Sequence, residues 1–420
     1  MRLTKYQSKG FSIVELMIAL TVGLILMAGL VTVFDTVSNM NRMQNGLARL
    51  QENGRFAVTS IKQNLEQAGY QYCIGSSLND TKINDPVYPQ PWVVYSSSLS
   101  PGMPTRSDVS QSPAPTSLTP YLVDTAYFVR GHECNVAGCS PALNSLGSNT
   151  SFAIPDVGTG DGDRIVDTDV LTFRYISGEG LPIERVNTNS STGVVTITFP
   201  NGTVIPSNTT ATPRVVIPNC KGAAAVLDVV SYNTSANPPT ASALIPADPN
   251  RVININTDSL PRLFNLNAST STISYYVAND VFDGRDIPTL YSVENGIVNP
   301  IVQGVDRFDV LYGVRTRDGS VLILDANGVQ GLPTSQCVPT NRVAGIDLIN
   351  TAGCGWRSVV SIEVHLLLNT IYDSSRSATE QYVYSIEGTG LQTPSTSTSE
   401  INHYKMHRRE FVTSVTLKNY

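Results

Sequence analysis

The hydrophobic pattern divides the chain into a helical beginning and a strand-rich remainder. From Phe11 to Phe34 the residues are mostly apolar, and Glu15 carries the only charge. Apolar and small residues then recur at steps of three and four, as in an amphipathic helix, at Leu47, Leu50, Gly54, Val58, Ile61, Leu65 and Ala68. After Gly69 the period falls to two, which indicates short strands.

The first stretch is long enough to cross a membrane as a helix. At about 1.5 Å rise per residue, Phe11 to Phe34 spans about 36 Å, against about 30 Å for a hydrocarbon core. Three basic residues precede it and none follows until Arg42, which predicts a cytoplasmic N-terminus and a periplasmic or external remainder. A plain membrane anchor, with Glu15 reaching toward the interface, is the alternative interpretation.

The amphipathic stretch is expected to continue the same helix. Gly69 is a natural residue to end it, so that the helix from Phe11 would measure about 88 Å. A separate periplasmic helix after a break near Asp35 to Asn41 is the alternative. The predicted domain organisation is a leader at 1–10, a transmembrane half at 11–34, a periplasmic half at 35–70 and a β-rich head at 71–420, in one or two lobes.

The head is expected to consist of short strands separated by turns. The candidates are Arg164–Ile176, Gly193–Phe199, Arg214–Ile217, Val226–Tyr232, Arg251–Ile255, Thr272–Val277, Pro288–Val293, Val305–Arg315, Ser320–Leu324, Ser358–Leu368, Gln381–Ile386 and Glu410–Lys418. Asp318-Gly319 and Asn327-Gly328 supply turn chemistry between strands. Glu363 and His365 alternate with an apolar face and are expected to face solvent. The fold class is therefore α+β, with a long N-terminal helix packed on a β-rich head.

Composition and charge fit an exported, strand-rich body. The chain has 31 Gly, 25 Pro and only 15% charged residues, which favours many turns and few surface helices. The formal net charge is −6, and loss of the three positive charges before Phe11 makes it −9. This balance excludes a bulk basic surface for nucleic acid or anionic lipid.

The cysteines point to disulfides in an oxidising compartment. Proximity favours Cys134 with Cys139 and Cys337 with Cys354, which leaves Cys73 and Cys220. Because six cysteines allow fifteen connectivities, these pairs are hypotheses from spacing alone.

No catalytic constellation is evident, so we do not expect an enzyme or a cofactor. His132-Glu133 begins like a zincin motif, but Val136 stands where the second histidine is required. Asp161, Asp163, Asp167 and Asp169 form a weak calcium candidate, since oxygen ligands suit calcium but the order is not that of an EF-hand. No other metal site is expected. Trp92 and Trp356 are interpreted as core anchors.

The leader and the apolar stretch together resemble a known export signal. In Lys9-Gly10-Phe11-Ser12-Ile13-Val14-Glu15 a basic leader ends at glycine, directly before the apolar run. This resembles the class III signal of type IV prepilins. The resemblance implies that prepilin peptidase cleaves between Gly10 and Phe11, that the Phe11 amine is methylated, and that Glu15 docks the subunit in a filament.

Later pieces resemble PilW-type minor pilins. These are Glu52-Asn53-Gly54-Arg55-Phe56-Ala57, Gln67-Ala68-Gly69-Tyr70, Asp169–Tyr175, Gly304–Val314 and Arg409–Asn419. The likeness covers most of the chain outside 71–160 and 190–285. It implies a non-enzymatic minor pilin that primes a type IV pilus, sits at its tip, and supports twitching motility and adhesion.

The same resemblance implies partners and a location. The partners would be other minor pilins, the major pilin, a PilY-type tip adhesin, the inner-membrane assembly platform and the prepilin peptidase, with no nucleic acid. The protein would be a single-pass inner-membrane protein before it reaches the surface pilus. A J-type minor pseudopilin of type II secretion is the alternative, and a membrane-anchored periplasmic enzyme or binding protein is a more distant one.

Overall fold

The computed structural model describes Gly10 and residues 12–70, 72–73, 92–95, 128–143, 154–205, 213–218, 223–244, 261–282, 284–337, 341–343, 346–348, 354–372, 381–388, 390–392 and 406–418. Its helices are α1 (Ile13–Leu65), α2 (Leu266–Ser269), α3 (Ala326–Gln330) and α4 (Cys354–Arg357). Its strands are β1 (Trp92–Tyr95), β2 (Val129–Asn135), β3 (Gly138–Ser140), β4 (Val170–Ile176), β5 (Leu181–Pro182), β6 (Arg185–Asn189), β7 (Val194–Thr198), β8 (Arg214–Pro218), β9 (Ala223–Asn233), β10 (Thr240–Leu244), β11 (Arg262–Asn265), β12 (Thr270–Phe282), β13 (Arg285–Glu294), β14 (Ile297–Gln303), β15 (Val305–Arg315), β16 (Val321–Leu324), β17 (Asn341–Val343), β18 (Ile346–Leu348), β19 (Val359–Asn369) and β20 (Arg408–Thr416).

The N-terminal helix is continuous over 53 residues, or about 80 Å. The alternative of a break at Asp35 to Asn41 is wrong, because this segment contains no proline or glycine and the Asn39 side chain donates to Asp35 (3.2 Å) one turn away. Gly69 has φ 73°, the left-handed conformation expected of a residue that terminates a helix. The division of α1 into membrane and periplasmic halves at residue 34 stays a prediction.

The described strands form three large sheets and the small hairpin β17–β18. Their spatial orders are β5-β11-β8-β9-β10-β7-β6, with β1 also on β9; β14-β13-β12-β4-β2-β3; and β16-β15-β19-β20. We call them the eight-, six- and four-stranded sheets. Neighbouring strands are antiparallel except for β1 and β9. The α+β class predicted from sequence is confirmed.

Two predicted elements are wrong, and one lies outside the described residues. Gln381–Ile386 is no strand, because Tyr382 makes an isolated bridge and Ser385–Glu387 forms a 3₁₀ turn. The Asn327-Gly328 pair lies inside α3, since the Asp325 side chain caps that helix by accepting from the Gly328 N–H (2.6 Å). The candidate strand Arg251–Ile255 lies outside the described residues.

The largest apolar core joins the helix to two sheets. It includes Leu50, Ala57, Ile61 and Leu65 of α1 together with inward residues of the six- and four-stranded sheets. The eight-stranded sheet has a second cluster of its own. Trp356 is fully buried in the first core, edge-on to Tyr312 at 5.1 Å between ring centroids, so it is a core anchor as expected. The side chain of Trp92 lies outside the described residues.

Candidate assembly surface

The start of α1 is closed by a capping box that uses the predicted docking residue. Ser12 is the N-cap, and its hydroxyl accepts from the Val14 N–H (3.3 Å). The Glu15 carboxylate in turn accepts from the Ser12 N–H (3.4 Å). The Glu15 side chain is therefore directed to the N-terminus of its own helix, where a carboxylate is also favoured by the helix dipole.

The predicted cleavage site lies directly before this cap. Gly10 is exposed, and a Cβ added there would have no heavy atom within 4 Å. Phe11, the predicted new N-terminus and methylation site, lies outside the described residues. Processing and methylation at this bond stay predictions.

No residue that the structure describes covers the apolar half of α1. Its most apolar 18-residue window has a mean hydropathy of 2.5 and no buried residue, so that by length and composition the helix is able to span a membrane. Leu24 and Phe34 are 70% and 74% exposed. An apolar surface of this extent calls for lipid or other apolar helices around it.

The second half of α1 docks on the head through one face. The largest sheet contacts are with β14, β19 and β20, and Gly54 lies directly under the Phe411 ring of β20. At the end of the interface, the Asn64 side chain donates to the Tyr275 hydroxyl (2.7 Å). The predicted amphipathic stripe is thus the face that contacts the head.

Asp169 connects the six-stranded sheet to the four-stranded sheet. Its carboxylate accepts from the Val310 N–H of β15 (2.9 Å) and from the Cys134 N–H of β2 (3.3 Å), while its own N–H donates to Phe308 O (2.7 Å). Burial, with the nearby negative charges of Glu133 and Asp309, holds the pKa of Asp169 well above its ordinary value. Asp169 therefore has a structural role between two sheets.

The four aspartates proposed for calcium do not form one site. Asp169 points into the interior, whereas Asp161 accepts from the Val281 N–H of β12 (3.0 Å) and Asp163 accepts from the Gly160 N–H within its own turn (2.8 Å). Among the residues that the structure describes, no three His, Cys, Asp or Glu side chains are placed to hold a metal ion. His132 is fully buried beside Pro141 O (2.6 Å), and burial lowers its pKa to about 3, so it is neutral.

His365 is buried and bridges two carboxylates, which corrects the expectation that it faces solvent. It is 4% exposed; Nδ1 lies 2.8 Å from Glu410 Oε1 and Nε2 lies 2.9 Å from Glu363 Oε1. The Ser385 hydroxyl lies 3.0 Å from Nδ1, and the Tyr384 ring stands edge-on at 6.5 Å. The segment 381–388, which we call the strap, covers this part of the sheet and excludes water from His365.

The strap is held by further polar contacts with β15. The Tyr384 hydroxyl donates to the Asp309 carboxylate, and Arg307 pairs with the other Asp309 oxygen at 3.2 Å. The Arg307 guanidinium also lies over the Tyr384 ring, 5.6 Å from its centroid. Burial and the charge of Asp309 raise the pKa of Tyr384, so this hydroxyl remains a donor at any physiological pH.

The disulfide that spacing favours most is present. Cys134 and Cys139 face each other in the β2–β3 hairpin and are bonded. Cys73 and Cys337 each take part in a disulfide as well. The side chain of Cys354 and the whole of Cys220 lie outside the described residues, so the pairing of Cys337 with Cys354 stays a prediction.

Comparison with known protein families finds a match at each end of the chain. The model of the type IV pilus-assembly protein W family matches residues 274–419, and that of the prokaryotic N-terminal methylation motif matches residues 5–31. These two matches support a PilW-type pilin. No curated protein and no solved structure matches.

The PilW-type match accounts for the part of the head that α1 contacts most. It begins within β12 and includes the whole four-stranded sheet, the strap and His365. The methylation motif contains Gly10, Ser12 and Glu15. The two matches support a minor pilin related to type IV pili.

The roles of three residues, Ser12, Asp169 and Asp309, were not predicted from the sequence pattern. The Ser12 cap had a readable signal, because Ser12 and Glu15 have the spacing of a capping box. Asp169 and Asp309 had no readable signal in the sequence, because their partners are far along the chain. Their roles depend on contacts between sheets, which local pattern does not encode.

Proposed function

We propose that this PilW-type chain is a minor pilin that primes a type IV pilus and is incorporated at its tip, where it supports twitching motility and adhesion. The proposal rests on one observation: the single helix α1 combines an apolar half with a half that is bound to the head. The apolar half of α1 is left uncovered by the described residues, while its other half is anchored in a head whose strands match the PilW family. A subunit of this shape is suited to leave a bilayer and pack its helix against other pilin helices.

The proposal includes a path from membrane to surface. The chain enters the inner membrane with a cytoplasmic N-terminus, and prepilin peptidase cleaves between Gly10 and Phe11, after which the Phe11 amine is methylated. Glu15 then pairs with the free N-terminal amine of a neighbouring subunit, because a carboxylate buried without a cation would be strongly destabilising. The disulfide between Cys134 and Cys139 supports a periplasmic head, since disulfides persist in oxidising compartments.

The proposed partners follow from the same role. They are other minor pilins, the major pilin, a PilY-type tip adhesin and the inner-membrane assembly platform. The protein has no catalytic activity and no cofactor in this proposal. It acts by binding and by position.

The test is complementation of a strain that lacks the gene. The wild-type chain should restore surface pili and twitching, and mass spectrometry of the membrane form should find a methylated N-terminus at Phe11. An intact Met1, or a cut after the apolar run, would contradict the prepilin interpretation. Restored protein secretion with no effect on pili would instead favour a J-type minor pseudopilin.

A further inference from the structure

The last strand of the PilW-type region forms an open edge of the four-stranded sheet. β20 pairs with β19 from Arg408 to Thr416 without a shift in register. In the described part of the chain, β19 is the one strand that pairs with β20. The opposite side of β20 is therefore a row of backbone groups that a further strand could use.

The hydrogen bonds at both ends of the ladder show which residues face that edge. The Leu417 N–H donates to Val360 O (2.9 Å), and the Thr370 N–H donates to His407 O (3.1 Å). In an antiparallel pair, bonded and non-bonded positions alternate, so the odd-numbered residues of β20 bond to β19. The N–H and C=O groups of Val412, Ser414 and Thr416 consequently point outward.

The middle of this edge lacks the usual protection against pairing, because charges lie only at its ends, at Arg408, Arg409, Glu410 and Lys418. From Phe411 to Leu417 the sequence contains no charge and no proline, and Val412, Ser414 and Thr416 are exposed. The outer strand of the six-stranded sheet differs, because β14 contains Pro300 and a register shift interrupts its pairing. Other outer strands are short: β1, β3, β5, β6 and β16 have two to five residues.

The strand is also held rigidly in position. Phe411 packs on Gly54 of α1 from one face of the sheet, and Glu410 is bound to His365 and Ser385 on the other face. A preformed edge loses little conformational entropy when a partner strand binds to it. β20 is therefore ready to pair without rearrangement.

We propose that the outer edge of β20, at Val412, Ser414 and Thr416, binds an uncharged β-strand of a different pilin subunit. The choice of a pilin rests on the proposed function. β20 packs on α1, the helix through which subunits would associate, so the edge adjoins that interface. The side chains of these three residues are small and uncharged, which suits a neighbouring strand of alternating small or β-branched residues.

Geometry disfavours a second copy of this chain as the partner. Two β20 strands paired antiparallel are related by a two-fold axis normal to the sheet, and this axis reverses every direction in the plane of the sheet. The two α1 helices would then run in opposite directions. Copies inserted in one membrane have the same orientation, so they cannot pair in this way.

The test uses the full-length chain, solubilised in detergent from pilus-producing cells. Ser414→Pro removes the outward N–H while it leaves the bonds to β19 in place, because proline is tolerated where the N–H of an edge strand faces solvent. Ser414→Ala keeps the N–H and is the matched control. Proteins that begin with a class III signal are quantified by mass spectrometry in the purified material, relative to the bait.

We expect recovery of at least one such pilin to fall at least tenfold with Ser414→Pro and to be unchanged with Ser414→Ala. Val412→Lys adds a charge to the same edge and should lower the recovery of the pilin as Ser414→Pro does. This variant provides the test if the proline variant does not fold. Equal recovery of pilins by wild type and by folded edge variants would overturn the proposal. So would edge-dependent recovery of a second copy alone. If the wild-type chain recovers no pilin at all, the proposed function itself fails.

Discussion

Gly54 of the N-terminal helix lies directly under the ring of Phe411 in the last strand. A Cβ built on Gly54 would lie 2.3, 2.3 and 2.5 Å from three carbon atoms of this ring, closer than real Cβ atoms approach their neighbours. The contact joins the helix that begins the chain to the strand that ends the PilW-type region. It explains why a glycine stands inside an amphipathic stripe, where alanine would favour the helix more.

Gly54→Ala should therefore destabilise the docking of α1 on the head. We expect a loss of about 1–3 kcal/mol in the free energy of unfolding, the usual cost of overpacking a core. Urea unfolding of the detergent-solubilised chain, followed by tryptophan fluorescence, measures it. Gly23→Ala in the same helix is the control, since its Cβ would meet nothing within 4 Å. Equal stability of the two variants would show that the Phe411 ring moves aside freely.

Tyr384→Phe should loosen the strap. The substitution removes the hydroxyl that donates to Asp309 and leaves a buried carboxylate oxygen without that bond. We expect a loss of about 1–3 kcal/mol, as for other buried hydrogen bonds to charged groups. A double-mutant cycle with Asp309→Asn isolates the pair, and a coupling energy near zero would contradict the role given to it.

The raised pKa of Glu133 leads us to expect that the stability of the head depends on pH. Burial, followed by the negative charges of Asp325 and Asp309, raises the pKa of Glu133 to about 7. Folding thus disfavours the ionised form of Glu133. The free energy of unfolding should be highest below pH 4.5, the ordinary pKa. It should decrease as the pH rises to about 7 and stay lower above pH 7.

Glu133→Gln removes this titration. Compared with wild type, the variant should gain stability between pH 5 and pH 8 by about 1 kcal/mol, a figure reduced for solvent screening of a partly exposed group. Urea unfolding at both pH values checks it, with the exposed Glu184→Gln as the control for loss of charge. A pH-independent difference between Glu133→Gln and wild type would count against the raised pKa.

The Cys134–Cys139 disulfide should contribute measurably to the stability of the β2–β3 hairpin. Closing so short a loop is worth about 2 kcal/mol in the chain-entropy model. Cys134→Ala combined with Cys139→Ala should lower the free energy of unfolding by about that amount, and the wild-type chain should show no alkylatable thiol before reduction. A full complement of reactive thiols in periplasmic material would contradict the proposed compartment.

Sequence alone predicts those features that depend on neighbouring residues. The continuous helix and its docking face follow from the spacing of Leu50, Ile61 and Leu65, and the outer strand β20 follows from its alternation. The need for glycine at position 54 does not follow from the local sequence, because Phe411, which packs on it, is far along the chain. His365 was predicted to face solvent from strand alternation alone, but the strap covers it, and coverage by a distant segment leaves no local signal.

Missed strands have the same kind of cause. β10 contains Thr240–Leu244, where alanine and serine give little strand propensity, and it is held by pairing to β7 and β9. β14 contains Pro300, which argues against a strand in any position but the edge of a sheet. In both β10 and β14, pairing with neighbouring strands and not local propensity determines the strand conformation.

Glu15 is central to the proposed assembly. Its charge in docking and its part in the capping box can be separated by substitution. Glu15→Gln removes the charge but keeps a residue able to close the capping box, whereas Ser12→Ala removes the cap but keeps the carboxylate. If docking depends on the charge, Glu15→Gln should be defective and Ser12→Ala should assemble. If Glu15 only stabilises the helix end, the pattern should be reversed.

The most direct measurement is the number of surface pili per cell in strains that carry each variant at equal membrane levels. We predict normal cleavage after Gly10 for all variants, few pili with Glu15→Gln or Glu15→Ala, and near wild-type numbers with Ser12→Ala. Wild-type numbers of pili with Glu15→Gln and with Glu15→Ala would contradict the docking role of Glu15, because the carboxylate would then have no part in assembly.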